Sequence, residues 1–341
     1  MKILGIESSC DDTSVAVIDS NRKILSNIVK SQDEVHMLYN GVVPELAARS
    51  HITHIDNLFK EALLASKTKI GEIKLVAATA GPGLIGGLLV GLTFAKTIAQ
   101  VSNVPFVAVN HLEGHALTTR LTANISYPFL LLLVSGGHSN FYYIKNVNNY
   151  QNLGGTLDDA LGEAYDKVGN ILGLDFPGGP KLEKLAKNGN PEAFIFPKPL
   201  LRKNNLDLSF SGLKTSVLQK YKSLNTIDKE ESLKADIAAS FQKTICEIIC
   251  TKIKIAINLC KKKGLSFDNF VISGGVAANK YLRNNIKKTI AKENKKHYFP
   301  PINLCTDNAA MIAWAGYERY KKKLTNPLNI SAKPRWPLEE K

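Results

Sequence analysis

Residues 2–18 read Lys2-Ile-Leu-Gly-Ile-Glu-Ser-Ser-Cys-Asp-Asp-Thr-Ser-Val-Ala-Val-Ile18, two short apolar runs on either side of a polar turn. Apolar runs of this length, bounded by turn residues, are strand signals, and the short polar connection makes them a hairpin. The arrangement recurs between Pro128 and Ile144. There Phe129-Leu-Leu-Leu-Leu-Val134 enters Ser135-Gly-Gly-His-Ser139 and leaves through Phe141-Tyr-Tyr-Ile144. Each hairpin opens about half of the 341 residues, which predicts a duplicated domain. Length alone, at roughly 150 residues per domain, also predicts two.

Strand–turn–helix units fill the intervals. Ile73 to Thr79 ends in Gly81-Pro82-Gly83, and a helix follows from about Leu84 to Val101, where Gly87 and Gly91 permit close packing on a sheet. Val104 to Val109 leads into Asn110-His111. Phe270-Val-Ile-Ser-Gly-Gly-Val-Ala-Ala-Asn279 forms a third unit, its helix beginning near Asn279. Helical periodicity covers Val43 to Ala65, Ser232 to Lys262 and Ala309 to Lys322. Strands alternating with helices predict an α/β fold with mixed sheets. Asn188 to Leu208, rich in Pro, Asn and Lys, reads as a surface excursion. Leu75 to Ala95 carries no charge over a length that could span a bilayer. Its six Gly and Pro residues divide it into strand, loop and helix instead, so no membrane span is expected. Glu7, Asp11 and Asp12 interrupt the first apolar run, which is therefore not read as a signal peptide.

A hydrophobic content of 44% excludes a disordered chain. The net charge of +14 is unevenly spread: residues 251–341 hold 19 basic and 6 acidic side chains, and the remainder is nearly balanced. Two readings compete. One is a polyanionic partner for the C-terminal third. The other is an AT-rich coding sequence, as the excess of Lys over Arg implies. The five cysteines, Cys10, Cys246, Cys250, Cys260 and Cys305, form no CxxC pair. Cys246 and Cys250 read as helix core, and a reduced, cytoplasmic setting is expected.

Several constellations carry chemistry. In His111-Leu-Glu-Gly-His115 the two imidazoles fall about 40° apart on a helix, while Glu113 points roughly 200° away from His111. The general base of a zinc-protease HExxH is therefore missing, and the pair needs another ligand to hold a metal. Ser135-Gly-Gly-His-Ser139 and Ser273-Gly-Gly-Val-Ala-Ala-Asn279 expose backbone N–H groups suited to anionic or carbonyl oxygens. Neither matches a dinucleotide fingerprint or a P-loop. Asp159, Glu163 and Asp166 share a helix face by their spacing, just before the rigid Phe176-Pro-Gly-Gly-Pro180 turn. Ser209-Phe-Ser-Gly-Leu-Lys-Thr215 reads as a compact polar turn. Asp307 or Asn308 is placed to cap the helix at Ala309. His51-Ile-Thr-His54 reads as an exposed, partner-contacting helix face.

Nine stretches together resemble one family, the bacterial tRNA N6-adenosine threonylcarbamoyltransferases (TsaD), formerly called O-sialoglycoprotein endopeptidases. They are GIESSCDDT, GVVPELAARSH, AGPGLIGGLLVG, NHLEGH, LLLLVSGGHS, DDALGEAYDKVGNILGLDFPGGP, SFSGLKT, ISGGVAAN and CTDNAAMIAWAG, in the family order from residue 3 to about 316. The resemblance implies the actin-like ATPase (ASKHA) fold: two similar α/β domains around a nucleotide cleft. It places the first domain at residues 1–117 with a helical insertion at about 30–70, the second at 118–297, and a returning segment at 298–341.

It further implies that His111, His115 and Asp307 bind a divalent metal, Fe2+ first and Zn2+ second. Substrate-binding positions carried over are Val134, Ser135, Gly136, Gly137, His138, Asp166, Gly179, Glu183 and Asn279. The implied reaction moves threonylcarbamoyl from threonylcarbamoyl-AMP to N6 of the adenosine 3′ of the anticodon in tRNAs reading ANN codons. Asp11 and Asp12 are the expected proton acceptors. The family pattern has Glu where this chain has Asp12, and Gly where it has Asn40. Implied partners are tRNA, a paralogue of the same fold (TsaB-like) and a small P-loop ATPase (TsaE-like). The helix from Pro44 to Ala65 is the expected paralogue contact. Lys261–Lys263, Lys287-Lys288, Lys295-Lys296 and Lys321–Lys323 are the expected tRNA phosphate contacts, set beside Asn279 and Asp307.

Three alternatives are weighed against this. A metallopeptidase would use the histidine pair but finds no base at the second position. A kinase of the same fold leaves His111, His115 and Asp307 without a role. A non-enzymatic, chaperone-like ATPase predicts that these three residues are dispensable.

Overall fold

The computed structural model describes residues 1–201, 203–224 and 231–340. Among them, ten strands and ten α-helices follow in chain order. The first group is β1 (Lys2–Glu7), β2 (Thr13–Asp19), β3 (Ile24–Lys30), α1 (Asp33–Met37), α2 (Pro44–Ala65), β4 (Ile73–Gly81), α3 (Ile85–Val101), β5 (Phe106–Asn110) and α4 (His111–Thr122). Then come β6 (Phe129–Val134), β7 (Ser139–Asn146), β8 (Asn149–Gly155), α5 (Leu161–Ile171), α6 (Gly178–Ala186), α7 (Ser211–Ser223) and α8 (Glu231–Lys262). The last are β9 (Asn269–Ser273), α9 (Lys280–Lys292), β10 (Lys296–Tyr298) and α10 (Ala309–Lys321).

Contacts divide the chain into two compact units, one of Met1–Ile125, Asn146–Tyr150 and Thr306–Lys341, the other of Ser126–Lys145 and Gln151–Cys305. The first holds a sheet in the order β3-β2-β1-β4-β5, the second a sheet in the order β8-β7-β6-β9-β10. β1 pairs antiparallel with β2 and parallel with β4, and β6 pairs antiparallel with β7 and parallel with β9. Both hairpins predicted from the sequence therefore form, with Glu7 opposite Ser14 in one and Val134 opposite Ser139 in the other. The identical strand order and sense in the two sheets is the expected duplication.

In the first unit the side-chain alternation of a strand sorts two layers. Leu4 and Ile6 of β1, with Val76 and Ala78 of β4, join Ile55 and Leu58 of α2 and Leu92 and Ala95 of α3 in one core. Gly5 and Ala77 face the other way, toward Ala309, Ala313 and Gly316 of α10. A Cβ on Gly5 would lie 2.2 Å from the Ala309 carbonyl oxygen and 2.8 Å from Ala313 Cβ. Overpacking of this kind costs about 1–3 kcal/mol. A Gly5→Ala variant is therefore expected to melt a few degrees lower in thermal denaturation, with no change in secondary structure.

The second unit packs Leu130, Leu132, Phe141 and Phe270 of its sheet against Tyr165 of α5, Leu182 of α6 and Ile245 of α8. The excursion read at Asn188 to Leu208, of which residue 202 lies outside the described residues, is not wholly at the surface. Phe196, Leu206 and Leu208 are buried in this core. Lys252 of α8, itself buried, donates to the Leu200 and Asn205 carbonyls at 2.9 Å each and tethers the segment. Asp159 precedes α5 and yet meets Glu163 of that helix at a shared cation, Lys167 Nζ lying 2.9 Å from Asp159 and 2.6 Å from Glu163, while Lys214 donates to Asp159 at 2.9 Å. The SFSGLKT stretch is only half a turn, since α7 begins at Ser211, where Asp158 accepts from Phe210 N–H at 2.8 Å and from the Ser211 hydroxyl.

Candidate functional site

The first cluster lies wholly within the first unit. Asn110 ends β5 and caps α4, its Oδ1 accepting from Leu112 N–H at 2.9 Å. The cap fixes His111 as the first helical residue, so His111 and His115 stand one turn apart with ring centroids at 4.8 Å. Of the two capping candidates before α10, Asn308 takes the role by accepting from Met311 N–H at 3.0 Å. Asp307 is thereby left to turn its carboxylate to the histidines. Its Oδ1 lies 3.0 Å from His115 Nε2 and 3.5 Å from His111 Nε2. Ligand atoms of all three residues fall within 4.8 Å of one another. Two imidazole nitrogens and one carboxylate oxygen are donors suited to Fe2+ or Zn2+ and leave coordination positions open.

The remaining nitrogen of His111 explains why the ring is so placed. Nδ1 lies 3.0 Å from Glu7 Oε2 and 3.0 Å from Ser9 Oγ. Glu7, fully buried at the end of β1, also accepts from Ser9 N–H at 2.6 Å and from the Thr79 hydroxyl at 2.5 Å. A carboxylate accepting from Nδ1–H turns Nε2 toward Asp307 and the place a metal would take, the usual outer support of a metal-binding histidine. Burial pulls the His111 pKa down, but the charges of Asp307 and Glu7 outweigh it and raise the group to about 9. Burial likewise pushes Glu7 up, and His111 more than reverses this, so Glu7 stays below the ordinary carboxylate range. Glu113 points away, as its position predicts, and is held by the Tyr150 hydroxyl and by Arg319 Nη1 at 3.0 Å.

Residues 8–12 connect β1 to β2 and carry Asp11 and Asp12. Burial first, then the charges of Asp307 and Asp11, push the Asp12 carboxyl up to about 8; burial and Asp307 also raise Asp11. Burial pushes the Cys10 thiol up as well, which leaves it a poor nucleophile. His51 corrects the sequence reading. It has no exposed surface and lies beneath this connection, with Thr13 Oγ1 at 2.7 Å and the Cys10 carbonyl at 3.1 Å. Only Ile52 and Thr53, between the two histidines, face outward. Asn40, the departure from the family glycine, has φ +52°, a region where Asn is the best tolerated alternative to Gly.

The second cluster lies wholly within the second unit. Ser135 to His138 closes the β6–β7 hairpin, with Ser135 N–H donating to His138 O at 2.8 Å and His138 N–H to Ser135 Oγ at 3.1 Å. Gly136 and Gly137 are exposed, and a Cβ on either would meet nothing within 4 Å. No packing among the described residues demands glycine there, so the space above the turn is open to a ligand. Behind it, α5 begins against the turn, Gly162 N–H donating to Ser135 O at 3.1 Å. One helical turn further along α5, Asp166 Oδ1 accepts from Gly178 and Gly179 N–H at 2.9 and 3.1 Å and fixes the start of α6. From α6, Glu183 accepts from Lys280 N–H at 2.8 Å. Asn279 caps α9 through Leu282 N–H at 2.9 Å and donates to Gln242 Oε1 at 2.8 Å, so its amide is engaged inside the protein. Hydrogen bonds and the two helices α5 and α6 thus link the turn to Asp166, Gly179, Glu183 and, through Lys280, Asn279, the nine positions expected from the family.

The basic residues are arranged differently from the expectation. Lys296 pairs with Asn269 at the start of β9, and Lys295 is held over the Phe267 ring. The Gly274-Gly275 turn and Asn279 follow the other end of β9, about 16 Å along the strand. The Lys295-Lys296 pair is therefore not beside Asn279. Glu7, Ser9, Thr79 and Gln242 were not singled out from the sequence. For Glu7 a signal existed: a lone carboxylate closing an otherwise apolar strand.

The family model described as tRNA N6-adenosine threonylcarbamoyltransferase matches residues 23–314. Proteins of that name from Rickettsia rickettsii (strain Sheila Smith) and Rickettsia bellii (strain OSU 85-389) are 53% and 55% identical. The alignments cover 100% and 99% of this chain and 99% of each relative. Among solved structures, T. kodakarensis HypF matches with a TM-score of 0.62 at 14% identity, over 95% of this chain and 48% of that one. Component A of the Acidaminococcus fermentans (R)-2-hydroxyglutaryl-CoA dehydratase matches at 0.52 and 15% identity, over 94% and 99%. At such identities these two show the shared actin-like ATPase fold alone.

Proposed function

This chain belongs to the tRNA N6-adenosine threonylcarbamoyltransferase family, and from that premise we propose a donor, an acceptor site and a role for each cluster. The enzyme is an acyltransferase that places a threonylcarbamoyl group on N6 of an adenosine in tRNA. The donor is threonylcarbamoyl-AMP, and the acceptor is the adenosine 3′ of the anticodon in tRNAs reading ANN codons. N6 attacks the carbamoyl carbon, the bond from that carbon to the phosphate oxygen breaks, and AMP leaves. The exocyclic amine is a weak nucleophile, so positioning and charge stabilisation carry most of the rate.

The observation that carries this reading is the convergence of His111, His115 and Asp307 within 4.8 Å, supported from behind by Glu7. These three hold one divalent ion, Fe2+ by preference and Zn2+ as the second candidate. When bound, it supplies Lewis acidity toward a donor oxygen. The Val134, Ser135, Gly136, Gly137 and His138 turn offers N–H groups to donor oxygens, while Asp166, Gly179, Glu183 and Asn279 shape the rest of the substrate site. Asp12, with Asp11 beside it, takes the proton that N6 loses.

A base must be ionised to act, and Asp12 is raised to about 8, so kcat should climb as pH rises toward that value. A cation held at Asp307 opposes one of the charges that raise Asp12 and moves the limb to lower pH. In Asp12→Asn the limb should vanish; a kcat–pH profile that keeps it assigns the base elsewhere.

The TsaB-like paralogue docks on α2, which exposes Ile52 and Leu64, and the TsaE-like ATPase joins the complex. Lys261–Lys263, Lys287-Lys288, Lys295-Lys296 and Lys321–Lys323 meet tRNA phosphates, which makes binding salt-sensitive. No described helix is long and apolar enough to cross a membrane, and all five cysteines are free; the enzyme works in the cytoplasm. Mixing the protein with both partners, threonylcarbamoyl-AMP and unmodified tRNA tests the whole reading. A threonylcarbamoyl-adenosine peak in the nucleoside digest is the expected result, and its absence overturns it.

A further inference from the structure

The geometry points to His51 as the residue that positions Asp11 and Asp12, by tying both ends of the segment that carries them. The inference rests on the reading of Asp12 as the proton acceptor. His51 Nε2 lies 3.1 Å from the Cys10 carbonyl, and Nδ1 lies 2.7 Å from Thr13 Oγ1. A carbonyl can only accept, so Nε2 carries the proton, and the Thr13 hydroxyl donates to the Nδ1 lone pair. Burial holds the imidazole neutral, as this arrangement requires. One rigid ring therefore fixes the first and last of four consecutive residues, and the two carboxylates project from the middle.

Nothing around the ring lets it move aside. Gln32 Nε2 stands 3.5 Å from Nδ1 on one side. On the other, α3 has Gly87, where a Cβ would lie 2.9 Å from His51 Nε2 and 2.4 Å from Ser8 O. The glycine that the sequence reading assigned to helix–sheet packing is instead the gap through which α3 meets both the ring and the connection. A displacement of about 1 Å at a reacting group costs on the order of a hundredfold in rate, so a brace at this position is worth a measurable amount.

The test uses the reconstituted complex with His51→Ala, His51→Asn, His51→Gln, Asp12→Asn and the Asp12→Asn/His51→Ala double variant. Three quantities are read: kcat with donor KM, metal content, and amide hydrogen exchange of the peptide spanning residues 8–13. Gln places an amide N–H near Nε2 and keeps the bond to Cys10; Asn places one near Nδ1 and loses it. His51→Ala and His51→Asn should exchange faster at residues 8–13 and lose about a hundredfold in kcat. Donor KM and metal content should stay near wild type, and His51→Gln should recover most of both losses. The double variant should be no slower than Asp12→Asn alone, because the brace acts through that carboxylate. Unchanged exchange in His51→Asn, or losses that multiply in the double variant, overturns the inference. Faster exchange together with a fully active Asp12→Asn supports the brace and overturns the base assignment on which it was built. Should His51→Ala fail to fold, the Asn and Gln variants decide the matter alone.

Discussion

Asp307→Ala is expected to lose stoichiometric divalent metal and to form modified nucleoside at less than about a thousandth of the wild-type rate. Removing an outer support of a metal ligand typically costs ten- to hundredfold, and a direct ligand costs more. Asp307 is the only carboxylate in the candidate trio, with His115 Nε2 at 3.0 Å and His111 Nε2 at 3.5 Å. Its loss also removes the larger of the two charges that raise His111. Folding should survive, because the neighbouring Asn308 caps α10. Elemental analysis after gel filtration, the nucleoside digest and thermal melting separate these effects. A chaperone-like protein of the same fold would be indifferent to the substitution; full metal content and full activity in Asp307→Ala would favour that alternative.

How far the sequence led depended on how local each signal was. Both hairpins were legible because a strand, a turn and a strand lie within 20 residues, each a short apolar run bounded by turn residues. The matching sheet orders were not, since β4 and β9 join their sheets from far along the chain. The histidine pair was legible from helix geometry alone, whereas Asp307 lies 192 residues beyond His115 and came only from family resemblance. Local pattern likewise left Asp307 and Asn308 equal as caps. His51 was misread because an HxxH on an amphipathic helix shows no preference for either face; burial was decided by the β1–β2 connection, β2 and α3 packing around it. Asp159 lies two residues before α5, which begins at Leu161, so its four-residue spacing from Glu163 is not a helical one, although Lys167 still joins the two carboxylates.

Gly274→Ala should disable substrate binding while leaving the metal in place. Gly274 has φ +97°, and a Cβ there would lie 2.3 Å from the Val134 carbonyl oxygen and 2.8 Å from its carbon. At ψ +167° this is a backbone region open essentially to Gly alone, which costs an L residue about 1–3 kcal/mol, and the backbone overlap adds about 1–3 kcal/mol. Relief requires the end of β9 to move away from the end of β6, and Val134 is where the Ser135–His138 turn begins. The donor KM should therefore rise by at least about tenfold, with a melting temperature several degrees lower. Gly275 is the control for stability. A Cβ at Gly275 meets nothing within 4 Å, so Gly275→Ala should melt like the wild type. Metal content should remain at one ion per chain in Gly274→Ala, since His111, His115 and Asp307 all belong to the other unit. Read beside Asp307→Ala, it separates the two clusters: one variant should empty the proposed metal centre, the other deform the turn proposed to hold the donor. Loss of metal in Gly274→Ala, or an unchanged donor KM, would show that the clusters do not divide the work in this way.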